Sequence, residues 1–300
     1  MFGQNYGLDA LLKRPQPSRW QQFIKEPCLY LATLMYRCRQ VINIDPINPI
    51  TIVNISDTHN YQPPDVPHGE ILIHAGDLTQ NGTYEEVQTT IDWLQTLPHP
   101  HKIVVAGNHD TFLDHSKRPA NMVASSASIQ WGNIVYLDSE STTISCENGR
   151  ELKIYGCPLT PRHGNWAFQY PRTRDTWHST VPTDTDILIT HGPPKGHLDL
   201  NTLGCQFLLD ELWRTKPMLH VFGHVHAGHG TEHIQFDGLQ KAYENTVADR
   251  GGIRNLGHVL VEFVLNYFTP RKESTALLVN AAMIGGLRDE YRRRPIVVHI

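Results

Sequence analysis

Residues 50–59 read ITIVNISDTH: a short run rich in β-branched residues, Ile50 to Ile55, that stops at Ser56-Asp57 and carries an Asp-x-His pair. The same design returns four times. Ile71-Leu72-Ile73-His74 stops at Gly76-Asp77, and Lys102-Ile103-Val104-Val105 stops at Gly107-Asn108. Asp186-Ile187-Leu188-Ile189 stops at His191-Gly192, and Leu219-His220-Val221-Phe222 stops at Gly223-His224. Near-continuous apolar runs of this length suit strands of a sheet covered on both faces. Between the second and third runs, TYEEVQTTIDWLQTL (83–97) places Val87, Ile91, Trp93, Leu94 and Leu97 at helical spacing, with Thr83 and Glu86 positioned as a capping box. Residues 203–213 (LGCQFLLDELW) predict a second helix before the fifth strand. Strand, polar loop, helix, strand is an α/β layout.

Outward from this frame the pattern changes. From about 133 to 155 and from 230 to 264 it predicts antiparallel pairing, with short strands at 133–137, 152–155 and 258–264, and the chain ends on a last β-like run, 296–300. Residues 1–47 read as an N-terminal extension, helical around 18–40 and closed by DPINP at 45–49, which leaves 48–300 as a single domain. Within the extension, CLYLATLMY (28–36) is too short to span a bilayer and is followed by Arg37 and Arg39. It reads as a packed helix first and a peripheral membrane contact second. Arg292-Arg293-Arg294 reads as solvated surface before it reads as an anion-binding patch.

Composition narrows the function classes. With 30 acidic against 26 basic residues, the net charge of -4 gives no field that would hold a polyanion, so stable nucleic-acid binding is not expected. The five cysteines are widely spaced with no CxxC, which fits free thiols in a reducing compartment. No signal-peptide profile opens the sequence and no apolar stretch is long enough to cross a membrane, so the expected location is cytoplasmic. Histidine, at 18 of 300 residues, is abundant for its type. As neutral imidazole it is the commonest metal ligand.

The five loops carry Asp57-x-His59, Gly76-Asp77, Gly107-Asn108-His109-Asp110, His191-Gly192 and Gly223-His224-x-His226. Ligands in open α/β sheets bind beyond the carboxyl ends of the strands, so these loops are expected to converge. Oxygen and imidazole donors without sulfur suit Mn, Fe, Zn or Mg rather than a structural zinc cage. Asp-x-His and His-x-His at an extended strand end would set both side chains on one face. Taken singly, each residue is ordinary: an Asp or Asn after glycine is common turn chemistry, and a lone histidine is more often structural. The order and strand context of all five together point to a metal site.

The series D-x-H, G-D, G-N-H-D, H, G-H-x-H resembles the calcineurin-like metallophosphoesterase superfamily over roughly Thr51 to His226. HAGDLT (74–79), THGPPKGHLD (190–199) and HVFGHVHAGHG (220–230) are similar to its metallophosphoesterase-domain-containing group, of class III cyclic-nucleotide-phosphodiesterase type. The resemblance implies a four-layer sandwich of two mixed β-sheets flanked by helices. It implies two divalent metal ions (Mn, Fe or Zn), one held by Asp57, His59 and His226 and the other by Asn108, His191 and His224, with Asp77 shared. It further implies a metal-activated hydroxide as nucleophile, His109 as proton donor to the leaving group, and Asp110 orienting His109. A small phosphodiester or phosphomonoester is the implied substrate. Protein phosphatases of the superfamily read GDYVDRG and GNHE, whereas this chain reads GDLTQNG and GNHD without the arginine. The alternative is a non-catalytic, metal-binding or scaffolding member of the same fold. Trp166, Phe168 and Tyr170 are candidate cleft walls, and Arg162 and His163 candidate phosphate contacts.

Overall fold

The computed structural model describes residues 18–39, 48–117, 128–200, 203–268, 274–286 and 290–300. Its first helices are α1 (Arg19–Lys25) and α2 (Pro27–Arg37). Strands β1 (Thr51–Ile55) and β2 (Ile71–Ala75) precede α3 (Tyr84–Thr96), which leads to β3 (His101–Val105) and β4 (Ile134–Tyr136). Then come β5 (Glu140–Ser145), β6 (Glu151–Cys157), β7 (Ile187–Thr190), α4 (Gln206–Thr215) and β8 (Leu219–Phe222). The chain continues through β9 (Gly230–Gln235), α5 (Gly238–Ala248), α6 (Ile253–Phe268), β10 (Thr275–Asn280) and β11 (Ile296–His299).

Two compact units result: one holds all the strands with α3 and α4, and the other gathers α1, α2, α5 and α6. This differs from a boundary at residue 47 followed by one domain, because 237–268 groups with the N-terminal helices.

In the strand-bearing unit, one sheet has the order β11-β1-β2-β3-β4 and the other β9-β10-β8-β7-β6-β5. Both are mixed. β1 to β4 run parallel with β11 antiparallel at the edge, while β6, β7, β8 and β10 run parallel with β5 and β9 antiparallel at the two edges. Alternation along each strand sorts the core into layers. Ile52, Ile73 and Ile103 meet Ile187, Ile189, Leu219 and Val221 between the sheets. Their neighbours Val53, Leu72 and Val104 face Val87, Ile91 and Leu94 of α3. Leu188, Phe222 and Leu278 face Leu208, Leu209 and Leu212 of α4. Helix, sheet, sheet, helix is the four-layer arrangement expected. Burying each of these Leu and Ile side chains contributes on the order of 2 kcal/mol.

Local signals explain the elements. Thr83 accepts a hydrogen bond from the Glu86 amide, and the Glu86 carboxylate accepts from the Thr83 amide, so the capping box forms. Pro27 at the first turn of α2 splits the expected 18–40 helix into two. Residues 258–264, expected as a strand, lie in α6 instead. VLVEFVL is a run in which strand and helix periods cannot be separated, and Val259 with the partly buried Leu256 and Phe263 packs a helical stripe. β4, expected to be antiparallel, pairs parallel with β3.

Candidate metal centre

The five loops do meet, and by a route other than strand alternation. Asp57 (φ 50), His59 (φ 43), Asp77 (φ 53) and His224 (φ 65) all adopt left-handed backbone, where Asp, Asn and His are the non-glycine residues most often found. His226 opens a short 3-10 turn, His226–Gly228. The pairs Asp57/His59 and His224/His226 therefore do not sit on one face of an extended segment. The backbone turns at these residues, which brings their side chains together. Left-handed residues cost about 1 kcal/mol or more each and persist where surrounding bonds hold them. Here the Asp57 amide donates to Gly76 O (2.8 Å), the His59 amide to Asp77 O (3.1 Å), and the Gly223 amide to His191 O (3.0 Å).

Glycines permit the closeness. A Cβ on Gly76 would fall 2.5 Å from His191 Nδ1, one on Gly107 would overlap the Asp77 carboxylate, and one on Gly223 would overlap the Asp57 carboxylate and Ser56 Oγ. The carboxylates are buried. Asp57 accepts from Ser56 Oγ (2.7 Å) and from the His224 amide (3.0 Å), and Asp77 Oδ1 accepts from the His109 amide (2.7 Å).

Around these oxygens stand the imidazoles. His226 Nε2 is 3.2 Å from Asp57 Oδ1, His191 Nε2 is 3.2 Å from Asp77 Oδ2, and His59 Nε2 is 3.8 Å from Asp77 Oδ2. Asn108 Oδ1 lies 3.1 Å from His191 Nε2. Three sets of donor atoms lie within 4.8 Å of one another: Asp57, His59 and His226; His59, Asp77 and His109; and Asp77, His191 and His224. Asp77 belongs to two of these sets and His59 to two.

Second partners fix the tautomers. His191 Nδ1 lies 2.9 Å from the Ala75 carbonyl, His59 Nδ1 3.2 Å from Thr79 O, and His109 Nδ1 2.8 Å from Gln80 O. A carbonyl only accepts, so Nδ1 carries hydrogen on all three rings and Nε2 is the atom turned toward the cluster. For His59 that nitrogen is shielded from water and has no hydrogen-bond partner. For His191 it faces two acceptor oxygens. Burial alone would lower the pKa of His191, but Asp77 beside it prevails and pushes it up to about 9. Burial would raise Asp57 and Asp77, yet neighbouring histidines hold both well below the ordinary carboxylate range. His224, by contrast, falls to about 4 through burial and the proximity of His191. Buried carboxylates whose ion-pair partners among the described residues are histidines, an orphaned imidazole nitrogen and a sulfur-free donor set all fit divalent cations.

One expected role needs correction. Asp110 does not bond to the His109 ring. Its carboxylate accepts from the Gly107 amide (2.7 Å), the Thr79 amide (3.0 Å), Thr79 Oγ1 (2.7 Å) and the Leu78 amide (3.2 Å), tying the second loop to the third. Burial and the nearby Asp77 raise Asp110 to about 6. Gln80 O is the group that orients His109, and a main-chain acceptor has no signature in the sequence. Asn280 was also missed as a support. Buried in LVNAA, it donates to Val225 O (2.9 Å) and Leu198 O (3.2 Å), bracing the turn that carries His224 and His226.

The remaining candidates divide. Trp166 is exposed and stacks on His109 with ring centroids 4.4 Å apart, while Phe168 and Tyr170 are buried in the core. Arg162 and His163 are exposed on the same loop. His74 and His220 are buried against Thr58 and Thr190 hydroxyls, each lowered to about 3 by burial, and serve packing.

The family described as calcineurin-like phosphoesterase matches residues 50–228. Over 98% of the chain it is 44% identical to "Probable rhamnogalacturonate lyase C" of Emericella nidulans, of which it spans only 29%. It is 37% identical over 206 residues to human "Metallophosphoesterase domain-containing protein 1", covering 59% of this chain and 61% of that protein. A UPF0046 protein of Caenorhabditis elegans is 36% identical over 60% of the chain and 65% of its own length. The chain thus spans less than a third of the first relative and about three fifths of the second.

Proposed function

The chain belongs to the calcineurin-like phosphoesterase family, and from that premise we propose that it is a metal-dependent hydrolase of phosphoester bonds in small molecules. The observation that supports this most is the set of seven donors from five loops closing on one cluster, with the His109 ring, itself no part of the paired carboxylates, set edge-on to His59 at 4.5 Å. In this reading Asp57, His59 and His226 hold one cation, Asn108, His191 and His224 the other, and Asp77 is common to both. Such cations, Mn, Fe or Zn, would offset phosphoryl charge and lower the pKa of water in the cleft.

The chain's own residues do the rest. Gln80 O holds Nδ1–H of His109, so Nε2 is the ring atom turned to substrate. Protonated there, it binds a phosphoryl oxygen and delivers a proton to the departing alkoxide, a contribution of about 10²–10⁴ in rate. Asp110 keeps the backbone of the second and third loops in register, which fixes where His109 stands. Trp166 covers one face of that ring and offers an aromatic wall to the leaving group. No arginine stands in the Asp77 or Asn108 loops, GDLTQNG and GNHD, which favours a small phosphoester over a phosphoprotein. The lyase activity in the Emericella nidulans name describes a protein more than three times as long as the stretch matched here.

The test is turnover of bis-p-nitrophenyl phosphate and p-nitrophenyl phosphate by purified protein with Mn, beside Asp77→Ala and His109→Ala. The expected result is metal-dependent hydrolysis lost in Asp77→Ala and reduced about 10²-fold or more in His109→Ala, with metal content retained in the latter. Absence of metal-dependent turnover, or equal turnover in all three proteins, overturns the reading in favour of a non-catalytic member of the fold.

A further inference from the structure

The helical unit exposes what helices of a folded protein ordinarily bury. α6 packs Val259, with Leu256 and Phe263, against α2 and α5 in the cluster around Ala32, Tyr36 and Tyr243. Its other side is apolar as well. Ile253, Leu260, Val261, Val264, Leu265 and Phe268 follow the i, i+3, i+4 spacing of one stripe and are all exposed, Ile253 at 84% and Phe268 at 75%. On α1, Trp20 and Ile24 are exposed at 74% and 75%. An apolar groove of about 340 Å³ is lined by Trp20, Phe23, Tyr30 and Leu31, with Arg19 beside them. Scattered exposed apolar residues are ordinary, but a continuous stripe is the mark of a surface that something covers.

Charge says what covers it. Among the described residues of this unit, the exposed charged side chains are Arg19, Lys25, Arg37, Arg250 and Arg254, against Asp249 alone. In sequence, segments 1–40 and 237–272 carry 11 Lys and Arg against 6 Asp and Glu, in a chain whose net charge is -4. Exposed apolar side chains with exposed cations on the same helices complement a negatively charged bilayer surface, with acyl chains below and phosphate groups above. A second copy of the same cationic surface would meet like charge. No helix among the described residues is long and apolar enough to cross a membrane. At 16 residues, α6 is about 24 Å long and suited to lying in the interface plane.

We infer that the helical unit is a peripheral docking module for anionic phospholipid bilayers, with the α6 stripe and Trp20 entering the acyl boundary and the arginines and lysine meeting the headgroups. Docking of this kind is independent of catalysis and places the chain at a lipid surface rather than in one.

The full chain is sedimented with vesicles of phosphatidylcholine alone and of equal parts phosphatidylcholine and phosphatidylserine, at low and high salt. The wild type is expected to bind the phosphatidylserine vesicles at least about ten-fold more than the neutral ones, with binding weakened by salt. Leu260→Ser/Val264→Ser/Phe268→Ser and, separately, Arg19→Glu/Arg254→Glu are each expected to reduce it about ten-fold or more. These side chains are exposed, so the folds stay intact, which circular dichroism verifies. Equal recovery with and without vesicles overturns the inference. So does a dimer, seen by light scattering, that the serine variant converts to monomer without any vesicle binding.

Discussion

Trp166 lies with its indole nearly parallel to the imidazole of His109, ring centroids 4.4 Å apart and planes inclined by 25°. His59 meets the same imidazole edge-on from another direction, at 4.5 Å. The ring is therefore clamped by an aromatic face, a perpendicular imidazole and the Gln80 carbonyl, leaving one nitrogen free to act. Trp166 is exposed, so its position serves the cleft and not the core.

From this clamp, Trp166→Ala is expected to lower kcat/KM by about five-fold, consistent with the ~1 kcal/mol of an aromatic contact. Trp166→Phe should retain most of the activity. Thermal stability should move little, because the indole packs outside the buried core, against the His109 ring. Steady-state kinetics with both substrates checks this, and an unchanged kcat/KM in Trp166→Ala would remove the indole from the site.

Metal addition should stabilise the fold. The donors come from five loops that only folding brings together, so binding draws on the native state, and a cation at 100 times its dissociation constant adds about 2.7 kcal/mol. A thermal melt with and without excess Mn should show a clear rise in Tm. Asp77→Asn, nearly isosteric, should lose most of that rise. A rise of equal size in the variant would mean that the cations bind elsewhere.

Gly223→Ala tests the closeness of the loops. The added methyl has nowhere to go but onto the Asp57 carboxylate and Ser56 Oγ. The expected cost is about 1–3 kcal/mol of stability, with reduced metal stoichiometry by elemental analysis. Gly149→Ala is the control, since a Cβ there meets nothing within 4 Å, although its φ of 82 adds some backbone strain.

Away from the centre, Glu211 on α4 accepts from the Val181 amide (3.0 Å), the Ser179 amide (3.3 Å) and Arg214 Nε (2.9 Å). Burial acts to raise its pKa, but these donors prevail and lower it. A carboxylate depressed in the folded state contributes stability above its unfolded pKa and loses it as pH falls through the folded value. Glu211→Gln should therefore cost about 1–3 kcal/mol near neutrality. The gap to wild type should close below about pH 4. Urea titrations across pH read this directly, and a gap that widens with acid would refute it.

The apolar runs at β1, β2, β3, β7 and β8 were legible because each is a near-continuous strand with a donor at its end, and five such coincidences in order leave little choice of fold. α3 was legible to the residue because Thr83 and Glu86 complete a reciprocal cap. What the sequence hid were things made by the backbone. Left-handed turns at Asp57, Asp77 and His224 have no residue signature beyond the ligand itself. The carbonyls of Ala75, Thr79 and Gln80 that set the imidazole tautomers carry no side chain to read. Asp110 looked like a partner for its neighbour His109, yet its carboxylate turns away to four donors on two loops. In 258–264, β-branched residues dominated the reading, and only tertiary packing of Val259 shows the helical period.

The amide of His224, from one sheet, is held by the carboxylate of Asp57, from the other, and the amide of His109 by that of Asp77. Each acid thus has two duties, one toward the cation it is proposed to hold and one toward the neighbouring loop. A graft that moved the D-x-H segment alone onto another scaffold would carry the ligands but leave behind the amides that present them. The unit that can be transplanted is the whole rim, with its strands, or nothing.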